Sequence, residues 1–247
     1  MSSFVILTGP SCVGKGPLHK ALKRHHSDQA ESLEKLVLFN SRSSRPGEED
    51  GVDYHFRSRD EIETFRDDDD YIVMDVRGDL QAVHLPALSE AAGREVAFYE
   101  GNPFVAAALL DAPLPDGTEV ISVFLSPLSQ REILYLKQQS ADVERLVADF
   151  MRRKLLRRTR NQKTLLSLPD LENVERRCTS AFREMRYAPR FKWVLPNHDG
   201  EDSENWDAFY YPLGDAFHAV EGLSALLDGR VPDRAEQWQE DLLGKPE

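Results

Sequence analysis

Seven residues near the start of the chain, Gly9-Pro10-Ser11-Cys12-Val13-Gly14-Lys15, constrain its fold more than any other feature. They follow Phe4 to Thr8, a short apolar, β-branched run with the profile of a buried strand, and they precede a helical pattern from Pro17 to about His26. Proline suits the first turn of a helix, where its missing N–H and fixed φ do no harm. Strand, glycine turn and helix in that order open an α/β nucleotide fold. The spacing G-x-x-x-x-G-K lets the backbone wrap so that its N–H groups point at phosphate oxygens; the helix N-terminus adds partial positive charge, and the lysine reaches the outer phosphates. Gly9, Pro10, Ser11, Cys12, Val13, Gly14, Lys15 and Gly16 are therefore the candidate ATP-binding residues, and Lys15 is also a candidate catalytic one.

The motif departs from its usual form at its end. Gly16 stands where a Ser or Thr hydroxyl would ligate Mg²⁺. Pro17 has no N–H to offer an α-phosphate, a bond to a charged group worth about 1.5 to 3 kcal/mol. With ATP and Mg²⁺ as the expected cofactors, the metal would rely on water, substrate phosphates and a carboxylate, and no residue is assigned as its ligand.

The rest of the 247 residues continues the alternation of strand and helix. Leu36 to Phe39, Tyr71 to Val76, Glu95 to Tyr99, Val120 to Leu125 and Lys192 to Leu195 read as strands. Ser58-Arg59-Asp60-Glu61 and Ser129-Gln130-Arg131-Glu132 have the form of capping boxes that open helices. Further helices are expected around Leu85 to Ala92, after Asn102 and Pro103, over Asp142 to Asn161 and Asp170 to Tyr187, and over Asp215 to Leu227. The fold class is α/β: a P-loop NTPase with a mainly parallel sheet flanked by helices, whose ligands sit at the carboxyl ends of the strands. Residues 1–229 would form this domain, with residues 230–247 as an appended polar tail.

Several classes are excluded on composition. The longest purely apolar stretch, Phe104 to Leu110, falls far below the roughly 18 to 20 residues that cross a bilayer, and no secretory signal is visible, so no membrane is involved and a cytoplasmic location is expected. Cys12 and Cys178 lie far apart and form neither a disulfide framework nor a zinc motif. A net charge of −12 argues against general affinity for nucleic acid. The sequence leaves protein partners open.

The segment Ser41-Arg42-Ser43-Ser44-Arg45-Pro46-Gly47-Glu48-Glu49-Asp50-Gly51-Val52-Asp53-Tyr54-His55-Phe56 holds two arginines three apart and a downstream phenol. Converging guanidiniums hold a phosphomonoester through forked, charge-assisted bonds; solvated loop arginines are the plainer alternative. The stretch resembles the acceptor-binding segment of guanylate kinases, R-x-x-R-x-G-E-x-x-G-x-x-Y-x-F, at Arg42, Arg45, Gly47, Glu48, Gly51, Tyr54 and Phe56. The opening GPSCVGK is similar to that family's GPSGVGK, and Asn197-His198-Asp199 resembles its terminal N-x-D. The resemblance implies that Arg42, Arg45 and Tyr54 hold the phosphate of a nucleoside monophosphate. The family's base-reading carboxylate would fall on Val73, so Asp75, Asp79 or Glu100 would have to substitute for it.

From Arg152 to Lys163 there are seven cations and no acid. Such a row repels itself unless an anion arrives, which suits a lid closing over polyphosphate. Arg153, Arg157 and Arg160 share one helical face, and Arg153 and Arg157, with Arg42, complete the candidate catalytic set. The resemblance implies an acceptor-binding subdomain at about 39–84, a helical lid at about 141–180, and transfer of the ATP γ-phosphoryl group to a nucleoside monophosphate, GMP first. A kinase for another phosphorylated small molecule, such as a ribose bisphosphate, and a catalytically silent binding module are the alternatives.

Overall fold

The central strand of the molecule is buried on both faces because helices cover both sides of the sheet it belongs to. The computed structural model describes residues 3–44, 47–94, 96–163 and 165–245. In chain order the strands are β1 (Ser3–Thr8), β2 (Leu33–Lys35), β3 (Phe39–Asn40), β4 (His55–Phe56), β5 (Tyr71–Val76), β6 (Asp79–His84), β7 (Val96–Gly101), β8 (Glu119–Ser126) and β9 (Trp193–Pro196). The helices are α1 (Lys15–His25), α2 (Ser27–Glu31), α3 (Arg59–Thr64), α4 (Leu85–Arg94), α5 (Pro103–Leu110), α6 (Gln130–Gln138), α7 (Val143–Gln162), α8 (Leu168–Met185) and α9 (Gly214–Leu227).

The main sheet has the order β2-β7-β1-β8-β9, and its neighbours all run parallel. The alternation along β1 divides the core in two. Phe4 and Ile6 pack with Val105 and Leu109 of α5 and Met151 and Cys178 of the α7–α8 pair. Val5 and Leu7 pack with Leu18 and Leu22 of α1 and Val220 and Leu223 of α9. Each fully buried aliphatic side chain of this kind contributes about 1.5–3 kcal/mol. The fold is thus the expected one, a parallel sheet flanked by helices. Among the described residues no helix is long and apolar enough to cross a membrane.

A second sheet, β4-β3-β6-β5, stands beside the first and lies within the span expected to bind the acceptor. Its β5–β6 hairpin turns on Arg77 and Gly78, both at positive φ (61° and 93°), a geometry suited to a tight two-residue turn. Strand β6 has no counterpart among the strands the sequence predicts. The strand expected over Leu36 to Phe39 is divided instead: β2 ends at Lys35 and β3 begins at Phe39. Leu36 and Leu38 are both buried in the larger core cluster, so this apolar run crosses from one sheet to the other rather than extending a ladder.

Both capping boxes form, at Ser58 with Glu61 and at Ser129 with Glu132, and Asn102 caps α5 with Pro103 at its first turn. The segment after α9 is not a loose appendage. Glu236 and Val194 exchange two backbone hydrogen bonds of 2.8 Å at the edge of β9, and Trp238, Leu242 and Leu243 join the core. Their apolar side chains, spread among polar neighbours, find a surface that only the assembled fold offers.

Candidate active site

The register of the main sheet brings its functional ends level, with Leu7 opposite Glu100 and Thr8 opposite both Gly101 and Phe124. The glycine loop leaves β1 there. Gly9 has φ 144°, and a Cβ on it would lie 2.2 Å from the carbonyl oxygen of Leu125. Gly14 has φ 104°, and a Cβ on it would meet Asn197 Nδ2 and Trp206 at 2.7 Å. Only glycine satisfies either position. Cys12 adopts the left-handed region too, at φ 66°, where the resembling family motif carries glycine; that conformation costs a side chain roughly 1–2 kcal/mol. Its thiol is buried, and burial, aided by Glu201, pushes it up to about 12.

Lys15 is buried at the start of α1 and donates to the carbonyls of Gly9 (2.7 Å) and Pro10 (2.9 Å). Burial holds its pKa below the ordinary lysine value, while Glu201 and Glu100 act in the opposite sense. The ammonium is stored on the loop's own carbonyls, and a phosphate would offer it a stronger, charge-assisted acceptor. Behind the loop, fully buried Asn197 donates to the carbonyls of Val13 (2.8 Å) and Asp199 (2.7 Å). Asp199 in turn accepts from the backbone N–H of Ala216 (3.0 Å) in α9 and from Asn205 (2.9 Å). The N-x-D segment therefore ties the phosphate loop to α9.

A cleft of about 440 Å³ opens in front of this loop. Ser11, Cys12 and Lys15 line it on the loop side, and Arg42, Tyr54, Asn40 and Gln81 line it from the second sheet. Arg42 presents its guanidinium as a fork to Glu48, with Nη1 and Nη2 at 2.6 and 2.7 Å from the two carboxylate oxygens, and it lies 5.1 Å over the ring of Tyr54. Burial works against the charge on Arg42, but Glu48 outweighs it and holds the pKa above the ordinary arginine value. The carboxylate occupies the bidentate geometry that a phosphate monoester would use. Arg45 lies outside the described residues.

The helical pair supplies Arg158 from α7 and Arg176 and Arg177 from α8 to the same cleft. It is not Arg153 and Arg157 that face the cleft. Arg153 is exposed, with a bond to the carbonyl of Asp149 at 3.4 Å, and Arg157 pairs with Asp202 at 2.8 Å. The reason is the rotation of α7, whose buried stripe runs Val143, Val147, Met151, Lys154 and Leu155. Arg158, one turn beyond that stripe, points inward, and 153, 157 and 160 turn outward. Nor does the basic row wait for an anion to offset it. Arg152 pairs with Glu175 (2.6 Å), Arg158 with Glu201, and Lys163 with Asp170 (2.5 Å), while Lys154, only 2% exposed, bonds to the carbonyl of His198. Burial raises the Glu201 carboxyl, but Arg158 and Lys15 override it and hold the group below the usual carboxylate range.

The three carboxylates considered for base reading separate. Asp75 is exposed outside the cleft and pairs with Arg59 at 3.4 Å. Asp79 and Glu100 line the cleft. Glu100 lies on the donor side, 3.3 Å from Nδ1 of His19 in α1, and a Cβ at Gly16 would come 3.9 Å from its Oε1. Among the described residues no group of three or more His, Cys, Asp or Glu is arranged for a metal ion. Mg²⁺ characteristically takes one or two carboxylates plus phosphates and water, and Glu100, beside the hydroxyl-free end of the loop, fits that need.

The sheet order, the glycine loop on its central strand and the facing subdomain define an α/β protein with the P-loop NTPase fold. The family model for guanylate kinase matches residues 1–79. The guanylate kinase of Bartonella quintana (strain Toulouse) is 32% identical over 149 residues, which span 58% of this chain and 62% of that protein. That of Synechococcus sp. (strain JA-3-3Ab) is 46% identical over 59 residues, 24% of this chain and 25% of that one. The matched segments thus cover less than two thirds of these curated relatives. The crystal structure of guanylate kinase from Anaplasma phagocytophilum superposes with a TM-score of 0.50 at 16% identity, over 92% of this chain and 85% of that one, a likeness of fold. The chain is thus similar in sequence to guanylate kinases over part of its length and similar in fold over most of it.

Proposed function

We propose that the chain is an ATP-dependent phosphotransferase of guanylate kinase type, soluble in the cytoplasm, with a nucleoside monophosphate as acceptor and GMP as the first to test. An oxygen of the acceptor phosphate attacks the γ-phosphorus of ATP, the bond to the β–γ bridging oxygen breaks, and its electron pair leaves on ADP. No covalent intermediate with the protein is needed, because catalysis of this kind is positioning and charge stabilisation. In this reading the loop N–H groups and Lys15 hold the donor phosphates, Arg42 and Tyr54 hold the acceptor phosphate together with Arg45, and Arg158 offsets charge on the migrating group. Glu100 would hold Mg²⁺, which when bound neutralises charge on the donor phosphates.

One observation carries the reading: Lys15, on α1, and Arg42, in the loop that leaves β3, line a single cleft. The test is ADP formation from Mg-ATP across a panel of phosphorylated acceptors. Acceptor-dependent turnover that disappears in Lys15→Ala is the expected result. Binding of ATP or GMP with no acceptor stimulating turnover would instead favour a silent module, the reading to which Gly16 and Pro17 lend support.

A further inference from the structure

Beyond the acceptor side of the cleft lies a second groove of about 500 Å³, between α8 and the β5–β6 turn. Helix α8 lines it with Arg176, Thr179, Ser180 and Arg183, spaced i, i+3, i+4 and i+7 and therefore on one face. Arg77 and Arg176 belong to the linings of both groove and cleft, so the two spaces adjoin.

The charges of this groove are unevenly matched. Arg77 is held from behind by Glu184, which is fully buried and accepts from its Nε at 2.8 Å. Asp75, the one carboxylate in the lining, pairs with Arg59 (3.4 Å) and accepts from the backbone N–H of Gly78 (2.7 Å). Arg176 has only the carbonyl of Arg77, at 3.2 Å, and Arg183 makes no hydrogen bond or ion pair among the described residues. Two guanidiniums on one helical face are thus left without a carboxylate, in a chain whose net charge is −12. Elsewhere on the same helical pair Arg152 is matched by Glu175, Arg158 by Glu201 and Lys163 by Asp170, while Arg153, also without a carboxylate, lies on the outward face of α7 and lines neither space. Like charges held on one face repel, and a shared anion relieves them while accepting the forked bonds that arginine offers to phosphate.

We propose that this groove is a second phosphate-binding site, in which Arg176 and Arg183 hold a phosphate monoester dianion. Two sources share that chemistry: a second phosphate on the acceptor, reaching past Arg77 from the Arg42 site, or a separate phosphorylated molecule bound alongside. The site stands whether or not phosphoryl transfer occurs in the cleft.

Calorimetric titration of the full chain at low salt with ribose 5-phosphate, ribose 1,5-bisphosphate and GMP, in wild type and Arg183→Gln, tests it. The substitution should weaken binding of at least one sugar phosphate by about tenfold or more, the scale of one lost charge-assisted bond, and leave the thermal midpoint and GMP binding unchanged. If the second phosphate belongs to the acceptor, the bisphosphate displaces GMP and binds about tenfold more tightly than the monophosphate. If it is a separate ligand, a sugar phosphate binds in addition to saturating GMP, and that event is the one lost in Arg183→Gln. Equal affinities of wild type and variant for both sugar phosphates would overturn the proposal. A failure of GMP to bind would count against the transfer reading alone, since the sugar phosphate titrations still report on position 183.

Discussion

Asn197 holds the phosphate loop from behind, its Nδ2 donating to the carbonyl of Val13 at 2.8 Å from a position with no solvent exposure. Removing it strands the carbonyls of Val13 and Asp199 in the interior. Asn197→Ala should therefore lower stability by about 2 kcal/mol, read from the urea midpoint, and weaken ADP binding in the same variant.

The two arginine sets on α7 predict opposite outcomes. Arg158→Ala should reduce turnover by about 10² or more, the scale of a lost charge-stabilising donor, and Arg158→Lys should recover part of it. Arg153→Ala removes an exposed side chain and should stay within about fivefold of wild type in kcat.

Both thiols should be inert in the folded protein. Burial pushes Cys12 up to about 12 and Cys178 up to about 11. At pH 8 the thiolate fraction of Cys12 is then about one part in ten thousand. Mass spectrometry after iodoacetamide treatment at that pH should show no alkylation of native protein and two modifications after unfolding in urea.

The His198 ring lies between two carboxylates, 2.5 Å from Asp215 and 2.8 Å from Glu132. Burial works to raise both carboxyls, but the bonds from His198 to Asp215 and from Ser129 to Glu132 hold them below their ordinary values. A carboxyl depressed by folding stabilises above its unfolded pKa and loses that contribution as pH falls through the folded one. Stability should thus decline below about pH 5, and Asp215→Asn should show a smaller difference in urea midpoint between pH 7 and pH 3.5 than wild type.

What could be read in advance follows the range of the interactions. The phosphate loop, the capping boxes at Ser58 and Ser129 and the cap at Asn102 are set by residues within a few positions of each other, and they form as expected. Strand β6 exists because Gln81 and Ala82 pair with Met74 and Val73 on one side and with Asn40 and Phe39 on the other, a partnership invisible to local pattern. The same limit explains the arginines: whether 157 or 158 faces the cleft depends on how Met151 and Leu155 rotate α7 against the core. Arg77, Arg176 and Arg177 come to the cleft through tertiary packing, and Trp238 reads as a lone aromatic in a polar tail until the fold provides its pocket.

The central claim is that two phosphate sites, at Lys15 and at Arg42, face each other closely enough to be bridged. The most direct measurement is the affinity of a bisubstrate analogue, adenosine and guanosine joined through their 5′ oxygens by five phosphates, compared with that of ADP and GMP singly. The account predicts binding tighter than either nucleotide by about 10²-fold or more, lost in Arg42→Ala. An analogue that binds no more tightly than ADP, and is indifferent to Arg42→Ala, would contradict it.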